Sequence, residues 1–446
     1  MSLRSSGLSL SHPLARVGSR RWFLEASMAG LGGLALPAFG GSLAQAAAPV
    51  QEKKAVILFW LSGGPSQIDM WDPKPQAPVE IRGPYGTIST AVPGMQFSEH
   101  LPRQAAIADK LTVLRSVDCS ASNHTPITMQ AGNPLARRTN DSNPGGGYPS
   151  MGSVAAKFHG PNDPDMPAFV GLADSWASDV YGEGELGGQY TPIRGTELAG
   201  KAAMPEGITA PRLQDRENLR REFNRLSRQL DSPGAEATDR FTRQAHEMIV
   251  SGKVQKAFNV EEESDAMRDA YGRESIGQKA LLARRLVESG VTFVLVSGAW
   301  GYFDHHGDQV RWGGIEKGLT PLLPRVDQVL ATLVTDLENR GLLDDTLVMM
   351  MGEFGRSPVI NKDAGRDHWT PVMSMLLAGG GLRHGQVIGS TDSRGGAIAS
   401  NPVRPQDLAA TTFRHLGIDP QAQWTNAAGR PLSVVAEGGR PIAELF

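Results

Sequence analysis

The 446-residue chain contains a single cysteine, Cys119, which rules out any intramolecular disulfide, so an oxidising compartment would be tolerated and not exploited. It also has little excess charge: 44 Lys and Arg against 47 Asp and Glu give a formal net charge of −3. No basic block interrupts the body of the chain, so there is no field to attract a polyanion and no nucleic-acid partner is expected. Beyond the N-terminal region no apolar run approaches the ~20 residues of a membrane span, and the mature protein is expected without one. Glycine (52) and proline (30) are plentiful but fall short of the share seen in disordered low-complexity chains, which predicts many ordered loops. Loops on a rigid scaffold are where function concentrates.

The first 48 residues read as a targeting segment. Ser19-Arg20-Arg21-Trp22-Phe23-Leu24 precedes a Gly/Ala-rich, weakly apolar stretch over 26–39 and the small residues Ala44 to Ala47. The pattern resembles a twin-arginine export signal cleaved near Ala46, and it is too short and too broken by glycine for a membrane anchor. Export to the periplasm or the cell exterior is the expectation. The resemblance implies passage in the folded state, with any metal inserted beforehand.

What remains, residues 49–446, is expected to be one large α/β domain. Ala55–Leu61 and Val291–Ser297 are short, nearly all-apolar runs, the pattern of parallel strands buried on both faces; Leu111–Val117 reads as a further strand. Leu347–Met351 is another apolar run, and Pro371–Ala378 another strand. Helices are expected over Met151–Phe158, Leu319–Arg340 and Pro402–Leu416. Residues 133–211 show no sustained period and read as loop-rich, whereas 212–289 is charged and helical, with Leu213, Leu219, Phe223, Leu226 and Leu230 along one face; it reads as a helical insertion. The fold class is therefore a mostly parallel central sheet with helices on both faces, plus that insertion.

Polar clusters follow the strands, where α/β sheets place ligands. After the first come Ser66, Asp69, Asp72 and Lys74; after Val117 come Ser122, Asn123, His124 and Thr125, ahead of a helix that Pro126 begins. Ser122 or Asn123 suits the cap of that helix, and the free N–H groups of a helix start suit a nucleophile or an anion. Asp304-His305-His306-Gly307-Asp308 is the densest ligand cluster in the sequence, and two adjacent histidines between aspartates point to a metal. Glu353 ends the Leu347–Met351 run, and Asp367 and His368 return a dozen or so residues later.

The pieces GGPSQIDMWDPKP (63–75), FDHHGD (303–308), GEFGRSPVINKDAGRDHW (352–369) and RPQDLAATTFRHLGID near the C-terminus resemble the exported "domain of unknown function 1501" family, similar in fold to alkaline phosphatases and arylsulfatases. The resemblance implies one or two divalent ions (Zn, Mn, Ca or Mg) clamping a phosphate or sulfate ester. It implies a first metal on Asp304, His306 (or His305) and His368. For a second it leaves Glu353, with His124 or Asp69 to complete the set, because Ser62 and Phe354 stand where further ligands would be expected. The nucleophile slot falls at Ser122–Thr125, while Arg356 or Lys74 would hold an anionic substrate, an ester or a glycan. The expectation is an exported, metal-dependent hydrolase-like protein. The alternative is a non-catalytic binding protein or a scaffold for other exported proteins that keeps the fold and one metal.

Overall fold

Eight strands build the central sheet: β1 (Ala55–Trp60), β2 (Leu111–Val117), β3 (Phe169–Leu172), β4 (Ile193–Arg194), β5 (Phe293–Ser297), β6 (Thr346–Met351), β7 (Met373–Gly379) and β8 (Gln386–Ile388). The computed structural model describes residues 53–136, 144–201 and 245–446, with scattered positions between 209 and 218. The sheet order is β8-β2-β7-β6-β1-β5-β3-β4. β1 lies parallel to both β5 and β6, β5 to β3, β3 to β4, and β8 to β2. β7 alone runs against its neighbours, β6 and β2.

The apolar runs are continuous because both faces are covered. Four helices do most of this: α1 (Met151–Phe158), α2 (Ser275–Glu288), α3 (Thr320–Asn339) and α4 (Pro405–His415). Side chains alternate across a strand, so Ile57 and Phe59 of β1 pack in one core with Leu281 and Leu286 of α2 and Leu323 and Leu330 of α3. Val56, Leu58 and Trp60 pack in the other with Met151 and Val154 of α1 and Leu408 and Phe413 of α4. Each large aliphatic side chain so buried contributes about 1.5–3 kcal/mol. The mostly parallel α/β class read from the sequence is the class observed.

Within the stretch expected as an insertion, α2 lies against the sheet itself, and fully buried Arg284 ties it to Glu263 (2.7 Å) and to Asp336 on α3 (2.9 Å). The face from Leu219 to Leu230 and the signal-like segment 1–48 lie outside the described residues. One local expectation needs correcting. Neither Ser122 nor Asn123 caps the following helix, which covers only Ile127–Ala131 and starts from Pro126 without a side-chain cap. Among the described residues no helix is long and apolar enough to cross a membrane.

This topology brings the loops that follow β1, β2, β5 and β6 to one edge of the sheet. Because β7 is reversed, the loop after β6 leaves from this edge and returns to it. Every candidate ligand in the sequence lies on one of these four loops.

Candidate metal centre

The loops meet through backbone contacts that demand small residues. Gly63, directly after β1, has φ +106°, and a Cβ there would lie 2.5 Å from the Asp304 backbone nitrogen. Glycine thus lets the β1 loop touch the β5 loop. The Gly63 N–H donates to Glu353 Oε1 (2.8 Å), and the Ser62 carbonyl accepts from the Phe303 N–H (2.8 Å). Beyond Glu353 the chain turns through a two-residue antiparallel ladder, Gly355–Arg356 against His368–Trp369, which brings His368 back towards Asp304.

Three donor atoms converge there. His306 Nε2 and His368 Nε2 each lie 3.0 Å from Asp304 Oδ1, and they are 2.9 Å from one another. Ligands at 2.0–2.1 Å around a tetrahedral ion are separated by about 3.3 Å, so a shift of a few tenths of an ångström would seat one. His124 approaches the same group: single ligand atoms of His124, Asp304 and His368 all lie within 4.8 Å of one another.

Charge in the site is arranged around Asp304. Burial pushes its carboxyl pKa up, but contacts with His124, His306, His368 and Arg356 outweigh that and hold it far below the usual carboxylate range. Arg356, 2% exposed, donates to Asp304 Oδ1 (2.5 Å), to the Gly64 and Arg366 carbonyls (3.1 and 3.0 Å) and to the Gly63 carbonyl. Its donors are committed inside the protein.

His124 is held by Glu353, with Nδ1 2.8 Å from Glu353 Oε1. A carboxylate only accepts, so this contact places the Nδ1 proton on His124. Its Nε2 is left buried without a hydrogen-bond partner, 3.5 Å from Asp304 Oδ2. In a neutral ring two electron-rich atoms would then face each other, and either a proton or a cation relieves the conflict. Burial opposes the proton, yet contacts with Asp304 and Glu353 prevail and raise the His124 pKa to about 9. Glu353 is 2% exposed and its Oε2 also lacks a partner. Such orphaned buried atoms are costly unless something binds them.

Other candidates lie elsewhere. His305 turns away, with Nδ1 3.0 Å from the Trp312 carbonyl, into a small cavity it shares with Ser66 and Asp69; burial lowers its pKa to about 4. Asp69 is engaged by Arg366 (2.7 and 3.0 Å) and by Ser66 Oγ (2.6 Å). Lys74 Nζ pairs with Asp72 (3.0 Å). Thr125 Oγ1 donates to Asn123 Oδ1 (2.6 Å), and Ser122 Oγ donates to the Asn123 carbonyl at 3.4 Å. Asp367, 65% exposed, stands behind His306 with Oδ1 3.3 Å from Nδ1.

Two further residues, Trp300 on the β5 loop and Asp179 in the segment after β3, bear on the site. Trp300 stacks on His124 with ring centroids 5.1 Å apart. Asp179 is buried beneath the site, accepting from Ser62 Oγ (2.7 Å) and Ser297 Oγ (3.0 Å) at the ends of β1 and β5. Trp300 sits in a turn and Asp179 in a segment without periodicity, so no pattern marks either.

No curated protein matches the sequence. Solved structures it resembles include Ps i-CgsB in complex with k-i-k-neocarrahexaose, at 12% identity over 82% of this chain and 73% of that one, with a TM-score of 0.39. The PsFucS1 sulfatase from Pseudoalteromonas sp. aligns at 12% identity over 82% and 68%, TM-score 0.39. The phosphonate monoester hydrolase SpPMH from Silicibacter pomeroyi aligns at 11% identity over 87% and 74%, TM-score 0.33. Residues 53–446 match the family described as "Protein of unknown function (DUF1501)", a span that contains all four loops of the site, and the chain belongs to that family.

Proposed function

We propose that this is an exported, metal-dependent hydrolase-like protein acting on phosphate or sulfate esters. The observation that carries the reading is the convergence of Asp304 Oδ1, His306 Nε2 and His368 Nε2 within 3.0 Å of one another. An oxygen and two nitrogens on three side chains with a side left open are the donor set of a catalytic divalent ion. Bound there, the ion supplies charge that polarises an ester oxygen and acidifies water.

The chain's own residues supply the rest. Asp304 is kept ionised by Arg356, and Asp367 orients His306 from behind, as outer partners of ligating histidines do. His124, held by Glu353, presents Nε2 at the open side and is protonated at neutral pH in the metal-free protein; it is placed to give a proton to a departing oxygen. Ser122 and Thr125 bond within their own turn, which favours water over a side-chain nucleophile. Export follows from the signal-like segment in 1–48.

The test is hydrolysis of 4-nitrophenyl phosphate and 4-nitrophenyl sulfate by purified protein before chelation, after it, and after restoring Zn, Mn, Ca or Mg. Turnover that disappears with the ion and returns with it is expected. Metal without turnover would select a binding role on the same site, and neither metal nor turnover would overturn the reading.

A further inference from the structure

Trp300 is one of five large apolar residues left exposed among the described residues, at 37%. It is not loose. Its backbone N–H donates to Ser175 Oγ (2.9 Å), and the backbone N–H of the next residue, Gly301, donates to Ser62 Oγ (3.0 Å), which is itself fixed on Asp179. One face of the indole covers His124 at an interplanar angle of 29°, and 37% of the residue stays exposed to solvent. The neighbouring lip carries a cation: Arg311 lies over the Trp312 ring at 4.6 Å and has no carboxylate partner among the described residues. The Trp312 indole nitrogen abuts Gly301, 3.0 Å from where a Cβ would stand. A fixed aromatic platform and an uncommitted guanidinium thus flank the metal-binding edge.

We infer that Trp300 and Arg311 form a second binding subsite that takes the neighbouring sugar unit of an anionic oligosaccharide; the inference rests on the ester-hydrolase reading and names its substrate class. A rigid aromatic offers a large apolar face at low entropic cost, which suits the C–H face of a pyranose. A ring stacked on the open side adds ~4.5 Å of centroid separation. Because the His124 ring is already 5.1 Å below the indole, that sugar sits two stacking steps from the ligands. That is too far for the unit whose ester reacts and suits the next one along. Arg311 would meet an anionic group on that unit. A nucleic acid also offers flat rings and repeated anions, but the formal charge of −3 provides no field to gather one.

The test is calorimetric binding of size-defined carrageenan and heparin tetrasaccharides, of galactose 6-sulfate and glucosamine 6-sulfate, and of an oligothymidylate, with metal content measured on every sample. At least one tetrasaccharide should bind tenfold or more tightly than its monosaccharide. Trp300→Ala should abolish that advantage and Trp300→Phe preserve it, both with unchanged metal content. Arg311→Gln should weaken the tetrasaccharide and leave the monosaccharide as it was. No preference for length, a preference that survives Trp300→Ala, or tighter binding of the oligothymidylate would overturn the inference. Metal content reports independently on the site itself.

Discussion

His306 and His368 point their Nε2 atoms at one another across 2.9 Å, both 3.0 Å from the same Asp304 oxygen. One proton at most fits between the two nitrogens, so hydrogen bonding alone leaves the group under-satisfied. His306→Ala and His368→Ala should each weaken metal binding by more than the roughly 10–100-fold typical of outer-shell residues, whereas His305→Ala should not. An ion at about 100 times its Kd adds about 2.7 kcal/mol of stability. Chelation should therefore lower the melting temperature of the wild type and leave both alanine variants unmoved, as thermal unfolding with and without chelator would show.

Glu353 holds His124 and keeps an orphaned oxygen. Glu353→Gln preserves shape and removes charge, and it should reduce metal affinity or turnover by about 10–100-fold. Isothermal titration with the metal checks it; a value equal to the wild type would remove Glu353 from the site.

His124 gives a pH signature in the metal-free protein. Its folded pKa of about 9 lies above the ordinary histidine value of about 6.5. The folded state thus holds the proton more tightly, a contribution to stability fully present below about pH 6.5 and lost as the pH rises through about 9. Apo-protein melting temperatures should fall across this window, and His124→Asn should flatten the curve. A flat wild-type curve would contradict the charged pairing of His124 with Asp304 and Glu353.

Asp179 predicts the effect of a buried carboxylate. Burial raises its pKa to about 6 against the donations of Ser62 and Ser297. Relative to a neutral side chain, ionised Asp179 costs stability: no penalty exists below about pH 4, and it grows until the pH passes about 6. The melting temperature of Asp179→Asn minus that of the wild type should therefore increase from pH 4 to pH 7.

Arg356 illustrates what removal of a buried cation does. Arg356→Met would free Asp304 of its counter-charge and strip donors from the Gly63, Gly64 and Arg366 carbonyls. A loss of about 3–5 kcal/mol is expected, read by denaturant unfolding. Arg356→Lys should recover little, because a point charge cannot span those acceptors.

The centre of the sheet is legible in the sequence because β1, β5 and β6, buried on both faces, write themselves as apolar runs, and β2 and α1 have the ends expected of them; the short edge strands β4 and β8 carry no such run and are not. The neighbourhood of Asp304, His306 and His368 was legible because each follows or precedes such a run. The choice between His305 and His306 was not, since it depends on which way a loop turns over Trp312. Asp69 read as a ligand because its partner, Arg366, is almost three hundred residues away. Ser122 read as a cap because Pro126, which starts the helix one turn later, leaves nothing for that hydroxyl to cap.

The most direct measurement is a crystal structure of metal-loaded protein with anomalous data at the metal edge. An ion is expected within about 2.0–2.2 Å of Asp304 Oδ1, His306 Nε2 and His368 Nε2, with His124 facing its open side. An ion held elsewhere, or no ion at these atoms in protein saturated with Zn, Mn, Ca or Mg, would contradict it.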